Sequence, residues 1–354
     1  MVLDRYIGKS VLSGAMLASF VMLSIFAFVD FVNQLNYVGT GDYGAIQAAI
    51  FVFMRLPQRL YELSPSILLL GGILSMGGLA ANSELIVMRA SGVSTMRITR
   101  SVLQTGFIIA ILVALLGEYV VPDATRGAKT FRAEMIEKKL IIGGMNDIWA
   151  RDGNRYVNVK RILPDHQLRG VTVYELNEEY QLNRVTYAKS AQYKDDRWEL
   201  RGIKRSDISF DGVTVHKQNW MELERLILLE LFSVLELESK DMSALELLTY
   251  SDYLEENKLD NDEYLLAFWI KVFTPLTCLA MLMIAMPLVF ATTPRSGGVG
   301  QRIMIAILIG VIYFVFNRSI NHLGLALDVA PLLSAALPLM MVMVVSVFFL
   351  RRVN

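Results

Sequence analysis

The chain has 354 residues, of which 54% are hydrophobic and 19% charged, and its 34 Lys and Arg are matched by 34 Asp and Glu. No basic surplus is present to attract a polyanion, so nucleic acid is not expected as a partner. Cys278 is the only cysteine and lies in an apolar run, which excludes an intrachain disulfide and a thiolate metal site. His166, His216 and His322 lack companion ligands at metal-site spacing, so no metal is expected.

The balanced charge hides a strong segregation. Apolar runs cover Ser10–Val29, Leu63–Ala81, Val102–Val121, Leu265–Ala291, Ile303–Phe316 with a polar tail to His322, and Pro331–Leu350. Each approaches the ~20 residues that a helix needs to cross ~30 Å of hydrocarbon. The pattern predicts a polytopic α-helical membrane protein with six transmembrane helices, three in residues 1–122 and three in residues 264–354. Residues 123–263 form a domain outside the bilayer.

In chain order, Met1–Lys9 is a short charged lead into an uncleaved first helix. Gly8-Lys9-Ser10 echoes the end of a phosphate loop, but Leu3 stands where the required glycine belongs, so nucleotide binding is excluded there. At the outer end of the second span, Arg55 and Arg59 are one turn apart and Glu62 follows by three, so the arginines either line an anion site or neutralise Glu62. Further along it, Gly71, Ser75 and Gly78 share a face that permits close approach of a helix, from this chain or from a partner. Ser83 then reads as the cap of a short helix with Glu84 in its first turn, Leu85, Ile86 and Met88 as its apolar face, and Ser91-Gly92 as its end. That helix is either a passive interfacial element or a lever gripped by a soluble motor subunit.

Beyond the third span, Arg126–Lys139 extends the helix outward past Pro122. From about Asp147 the period changes. Asp152-Gly153 precedes Arg155–Val159, Arg169-Gly170 precedes Val171–Tyr174, Asp195-Asp196 separates Thr186–Tyr193 from Trp198–Leu200, and Asp211-Gly212 joins Ile208–Phe210 to Val213–Val215. Alternating Val, Tyr, Trp and Thr between such turns predicts an antiparallel β domain of sandwich or jellyroll type. After Met242 a helix returns, with Ser243 as its cap and Leu245, Leu248, Tyr253 and Leu254 near one face. Gly297-Gly298-Val299-Gly300 lacks a preceding strand and reads as a flexible connection.

Lysine and arginine in the short connections set the orientation. Arg5, Lys9, Arg89, Arg97, Arg100, Arg295, Arg302, Arg351 and Arg352 fall on one side, which is therefore cytoplasmic, whereas Asn36–Gly44 and Gly324–Ala330 carry none. Both termini are thus expected inside and Asp123–Glu263 outside. The spans are mostly free of polar side chains and no serine, histidine and acid converge, so catalysis in this chain is not expected.

Val2-Leu3-Asp4-Arg5-Tyr6-Ile7-Gly8-Lys9, Ser83-Glu84-Leu85 with Met88-Arg89-Ala90-Ser91-Gly92, Gly117-Glu118-Tyr119-Val120 with Pro122, and Trp269 with Lys271, Phe273, Pro275 and Leu276 resemble the LptF/LptG permease family. The N-terminal segment and the outer end of the third span are closer to the LptG branch than to LptF. The resemblance spans the whole chain and implies a subunit of the exporter that extracts lipopolysaccharide from the inner membrane. It implies LptF, a dimer of the ATPase LptB and LptC as partners, with LptA reached indirectly. No cofactor is implied in this chain; ATP and Mg are used by the partner ATPase.

Carried onto this sequence, the family pattern makes the first and fifth helices the walls of a lipid-facing cavity. Phe20, Phe26, Phe28, Phe31 and Gln34 lie on the first, and Tyr313, Phe314, Phe316, Asn317 and Arg318 on the fifth. Arg55, Arg59 and Arg132 would meet the anionic parts of the lipid, with Lys129, Lys138 and Lys139 as helpers or as ordinary solvated surface. Ser83, Glu84, Leu85, Met88, Arg89, Ala90, Ser91 and Gly92 would form the ATPase coupling helix, and the outer domain a β-jellyroll. Asp30 departs from relatives that carry lysine there, and a bridging divalent cation, Arg55 or Arg318 would have to neutralise it. Two rival readings are a related permease for another lipid or a lipoprotein, and a membrane scaffold or receptor whose β domain binds a partner.

Overall fold

The computed structural model describes residues 2–137, 148–163, 167–177, 179, 181–194, 197–209, 212–223, 238–290 and 299–353. Lys138, Lys139, His166, Asp195, Asp196, Phe210, Asp211, Arg295, Gly297 and Gly298, named above, lie outside these. Among the described residues, six helical segments are long and apolar enough to cross a membrane: Val2–Tyr37, Leu56–Ala81, Thr95–Ile136, Asp262–Phe290, Met304–Ala326 and Pro331–Arg351.

Helix α1 (Val2–Gln34) buries Ile7, Val11, Gly14, Ala15 and Ala18, a stripe at helical spacing, against α3 (Leu56–Ala81). The small residues set that approach. A Cβ on Gly71 would come within 2.6 Å of the Ala15 Cα, and one on Gly14 within 2.4 Å of the Gly71 carbonyl oxygen. The small-residue face of the second span is therefore used within the chain, while Gly78 faces open space.

Between α1 and α3 lies α2 (Ala45–Met54), a short apolar helix that the sequence reading did not anticipate. It buries Ala48, Phe51 and Val52 and leaves Ile46 and Phe53 exposed. A further short helix, α4 (Glu84–Ala90), leads to α5 (Thr95–Leu115), which continues through a π-helical turn, Leu116–Val120, into α6 (Val121–Glu137). The π turn lies just ahead of Pro122, where a regular ladder would meet a residue with no N–H.

Six strands follow: β1 (Ile148–Asp152), β2 (Arg155–Leu163), β3 (Gln167–Leu176), β4 (Leu182–Lys194), β5 (Arg197–Ser209) and β6 (Gly212–Leu223). They form one antiparallel sheet in the order β1-β2-β3-β4-β5-β6. The antiparallel β domain is present, and its described strands run as a meander without the crossovers of a jellyroll, because each short turn returns the chain beside the strand it has just left. Gly153, at φ +59°, makes the tight β1–β2 turn. Gly170 corrects the sequence reading. It lies inside β3 at φ +66°, and the register runs unbroken from Arg161↔Arg169 to Val159↔Val171 on either side of it, so it sits within one strand instead of separating two.

The sheet core holds Val157, Val159, Leu168, Val171, Val173, Trp198, Leu200 and Ile203. Helix α7 (Ala244–Glu256) covers it with Tyr250 and Tyr253. Its capping box pairs the Ser243 hydroxyl with the Glu246 N–H at 3.2 Å and the Glu246 carboxylate with the Ser243 N–H at 2.8 Å, which bears out Ser243 as the cap. Its buried face is Leu247, Ser251 and Leu254; Leu245 points outward, contrary to expectation. The remaining spans are α8 (Asp262–Phe290), α9 (Val299–Ala326) and α10 (Pro331–Val353). Helix α9 runs on past Asn317, Arg318, Asn321 and His322 to Ala326, so the polar tail expected after Phe316 does not end it.

A strut joins the membrane layer to the sheet. The Lys271 ammonium on α8 donates to the Gly117 carbonyl of the π turn at 2.7 Å, and the adjacent Glu118 carboxylate accepts from the Ala244 N–H at 2.8 Å. Arg126 pairs with Glu246 one turn further on. At the other end of α7, the Tyr253 hydroxyl donates to the Arg151 carbonyl at 2.7 Å, and the Asn257 side chain accepts from the Gly153 N–H at 3.2 Å. A helix N-terminus favours the Glu118 charge, since its first N–H groups are unpaired within the helix.

Candidate lipid cavity and coupling face

Helices α1 and α9 both lean on α3, and the gap between them is a cavity of about 500 Å³. Leu17, Val21, Ile25 and Phe26 of α1 face Ile307, Val311 and Phe314 of α9 across a floor of Leu63, Leu70 and Leu74. Ser66 is the one hydroxyl among the lining residues. Such a space is solvent for hydrocarbon and hostile to charge, because each methylene moved into it from water gains about 0.8 kcal/mol.

The structure divides the expected lipid-path residues. Phe26 and Phe314 line the cavity. Phe20 and Phe28 point out of the fold, Phe31 packs beside the Phe51, Val52 and Ala128 cluster, and Tyr313 packs on the main helical core. Phe316 and Asn317 are half-buried and Arg318 is exposed on α9. Gln34 is buried, and its side-chain oxygen accepts from the Tyr43 hydroxyl at 3.1 Å, a structural contact away from the cavity.

At the end of the helices where α2 connects α1 and α3, Asp30 meets Arg59 through two hydrogen bonds, of 2.6 and 2.8 Å. Neither Arg55 nor Arg318 neutralises it, because Arg59, on the helix packed against α1, reaches it with both arms of its guanidinium. Arg59 also pairs with Glu62 at 2.7 Å. Arg55 donates twice to the Gln58 side-chain oxygen, at 2.9 and 2.7 Å, and stacks over the Phe51 ring. Arg132 lies over the same ring at 4.8 Å and over Tyr37 at 5.3 Å. Both guanidinium groups thus lie against the Phe51 ring, whose quadrupole attracts cations, while Arg55 commits its Nε and one terminal nitrogen to Gln58.

Below them, the Gln58 amide donates to Asp241 at 2.6 Å, and Lys129 stands 3.4 Å from the other Asp241 oxygen. Only 1% of the Asp241 side chain is exposed. Burial pushes its carboxyl above the usual carboxylate range, against the pull of Lys129. Sequence reasoning missed Phe51, Gln58 and Asp241. The Arg55, Gln58, Arg59 and Glu62 spacing marks a polar helix face, but nothing local signals a partner 183 residues away.

At the opposite end of the helices, α4 carries the residues expected to form the coupling helix. Ser83 does not cap it: its backbone is left-handed at φ +63° and its side chain makes no cap bond, so it serves as the sharp corner leaving α3. Ser94 is the capping serine of this loop, accepting from the Arg97 N–H at 3.2 Å at the start of α5. Leu85 is buried and Met88 packs beside it, whereas Ile86 faces outward with Val87, so the expected apolar face splits in two. The inward half fastens α4 to the bundle and the outward half is free. Ser91 and Gly92 end the helix as expected, with Gly92 at φ +88° and the Val93 N–H returning to the Met88 carbonyl at 3.1 Å. Arg89 and Ala90 are exposed. Glu84 accepts from the Tyr6 hydroxyl at 2.5 Å.

The family described as the lipopolysaccharide export system permease LptF/LptG matches residues 5–352. This chain belongs to the LptF/LptG family. It is 30% identical to the lipopolysaccharide export system permease protein LptG of Escherichia coli (strain K12), over 99% of this chain and 98% of the relative. It is 28% identical to the protein of the same name from Haemophilus influenzae, with the same coverage of both chains. The match covers the whole layout of three spans, β domain and three further spans. A lipopolysaccharide export permease needs a path for acyl chains more than it needs reactive groups.

Proposed function

We propose that this chain is the LptG-type subunit of an ATP-driven lipopolysaccharide exporter in the inner membrane. In this reading it works with LptF, an LptB dimer that uses ATP and Mg, and LptC, and delivers lipid toward LptA. The observation that carries the reading is the apolar cavity between α1 and α9 in a chain of this family. Its volume suits part of an acyl chain, not a whole multi-chain lipid. A second wall is therefore needed, and the exposed apolar faces of α1 and α9, with Phe20, Phe28, Met304 and Ile312, supply the edge on which a paralogous permease would close it.

The ends of the bundle divide the work. Arg55 and Arg132 on Phe51 hold the anionic part of the lipid near the outer mouth, where the β domain begins. The free side of α4, from Glu84 to Gly92, docks the ATPase on the cytoplasmic side, where both termini also lie. The arginine-rich connections support that orientation. The test is photocrosslinking in the assembled complex without ATP. A photoreactive residue at Ile25 is expected to capture lipopolysaccharide, and one at Thr249, an exposed position of α7, is not. Capture of phospholipid alone at Ile25 would refute the assignment.

A further inference from the structure

The N-terminal motif joins α1 to both α4 and α5. Tyr6 and Asp4 are two residues apart on α1, about 200° around the helix. Asp4 accepts from the Ser101 hydroxyl at 2.5 Å and from Arg97 at 2.9 Å, both on α5. Tyr6 donates to Glu84, the first residue of α4, at 2.5 Å. The N-terminal end of α1 is thus held from two sides by α4 and α5, the two elements joined by residues 91–94.

The same helix is the cavity wall. From Tyr6 it runs without a break to Leu17, Val21 and Ile25, a distance of about 17 to 29 Å at 1.5 Å per residue. Between these points its other face lies close on its neighbours: a Cβ on Gly8 would meet the Thr105 hydroxyl at 2.8 Å, and Gly14 lies on Gly71. A helix held at one end and pivoted in its middle carries a displacement of that end to the other. Among the described side-chain hydrogen bonds between α4 and α1, Tyr6 to Glu84 is the direct one.

We propose that Tyr6 is a positioning residue for lipid expulsion: its hydroxyl ties α1 to Glu84, so that movement of α4 is carried along α1 to the cavity wall. The proposal rests on α4 being the ATPase docking element and on the cavity holding lipid. Tyr6 itself does not line the cavity. Tyr6→Phe removes only the hydroxyl of a side chain that is 46% exposed, and the Asp4 ties and the buried Ile7 and Val11 keep the helix seated.

The experiment uses the full complex with a photoreactive residue at Ile25 and measures two quantities on one preparation: ATP hydrolysed, and lipopolysaccharide adduct lost on adding ATP. The quantity of interest is adduct lost per ATP hydrolysed. In Tyr6→Phe this ratio is expected to fall about fivefold, the lower end of ordinary coupling between sites, with the ATPase still co-purifying. Tyr119→Phe, which removes an exposed hydroxyl at the far end of the third span, is expected to keep the ratio of the unmodified complex. An unchanged ratio in Tyr6→Phe overturns the proposal, as does a parallel fall in hydrolysis and adduct loss, which would place Tyr6 in ATPase activation. Loss of co-purification overturns it too, by making Tyr6 part of the docking surface. Failure of the lipid-path reading looks different: no lipopolysaccharide adduct forms at Ile25 even before ATP is added.

Discussion

Arg59→Gln isolates the pair that ties α1 to α3 at the α2 end of the helices. Asp30 keeps 16% of its side chain exposed and Arg59 25%, and they share two short hydrogen bonds between α1 and α3. A solvated ion pair contributes about 0 to 1 kcal/mol, whereas removing one partner of a buried pair costs about 3 to 5 kcal/mol because a charge is left without compensation. The intermediate exposure places the cost of Arg59→Gln at about 2 kcal/mol, or a fall of about 3 °C in Tm for a chain of this size. Loss of the Glu62 contact adds little, since that carboxylate reaches water. The assay is thermal unfolding of the detergent-solubilised complex for Arg59→Gln, Asp30→Asn and the double variant. The double variant is expected to recover at least about 1 kcal/mol relative to the sum of the singles, because a neutral amide in place of the Asp30 carboxylate needs no counter-charge. Strict additivity, with each single within about 0.5 kcal/mol of the parent, would refute the claim that this pair seals α1 to α3.

Arg132→Glu should reduce photocrosslinking of lipopolysaccharide from neighbouring positions, while Arg201→Glu, on an exposed part of β5, should leave it intact; equal behaviour would return Arg132 to ordinary surface. Glu84→Arg should lower both ATPase co-purification and ATP-driven release, and normal values for both would remove α4 from the mechanism. Asp241→Asn tests the buried carboxyl. Its folded pKa is raised above the ordinary 3.8, so the native state binds the proton more tightly and the wild-type loses stability as pH rises through the folded value. The variant should therefore gain stability at neutral pH, with the gain gone below about pH 4; a difference that does not change with pH would contradict the burial argument. In a Cys278→Ser background, a cysteine placed near Gly212 should be labelled by an impermeant reagent from the periplasmic side, and labelling only after the inner membrane is opened would overturn the orientation.

The spans were legible because bilayer thickness imposes a length and a composition that few other folds share. The strands were legible through their alternation and through Gly153, where the chain has to turn. Gly170 misled for the same reason: a left-handed glycine inside a strand carries the same local signal as one in a turn, and only the unbroken ladder on both sides distinguishes them. Helix α2 escaped because ten apolar residues are too few to span and too apolar to stand out from their neighbours. At the site, Arg59 and Glu62 were readable from helix spacing, but the partner of Asp30 was decided by how α1 lies on α3. Ser83 has the chemistry of a cap and the wrong backbone for one, which no residue identity reveals.

The central claim is that lipopolysaccharide moves through this chain at the expense of ATP. The measurement that tests it most directly reconstitutes the chain with its paralogous permease, the ATPase and LptC in proteoliposomes loaded with lipopolysaccharide, and follows transfer to a soluble acceptor domain of LptA. The account predicts transfer that requires ATP and falls when Ile25 and Phe314, facing each other across the cavity, are both replaced by aspartate. Hydrolysis without transfer, or transfer unaffected by charges placed in the cavity, would contradict it.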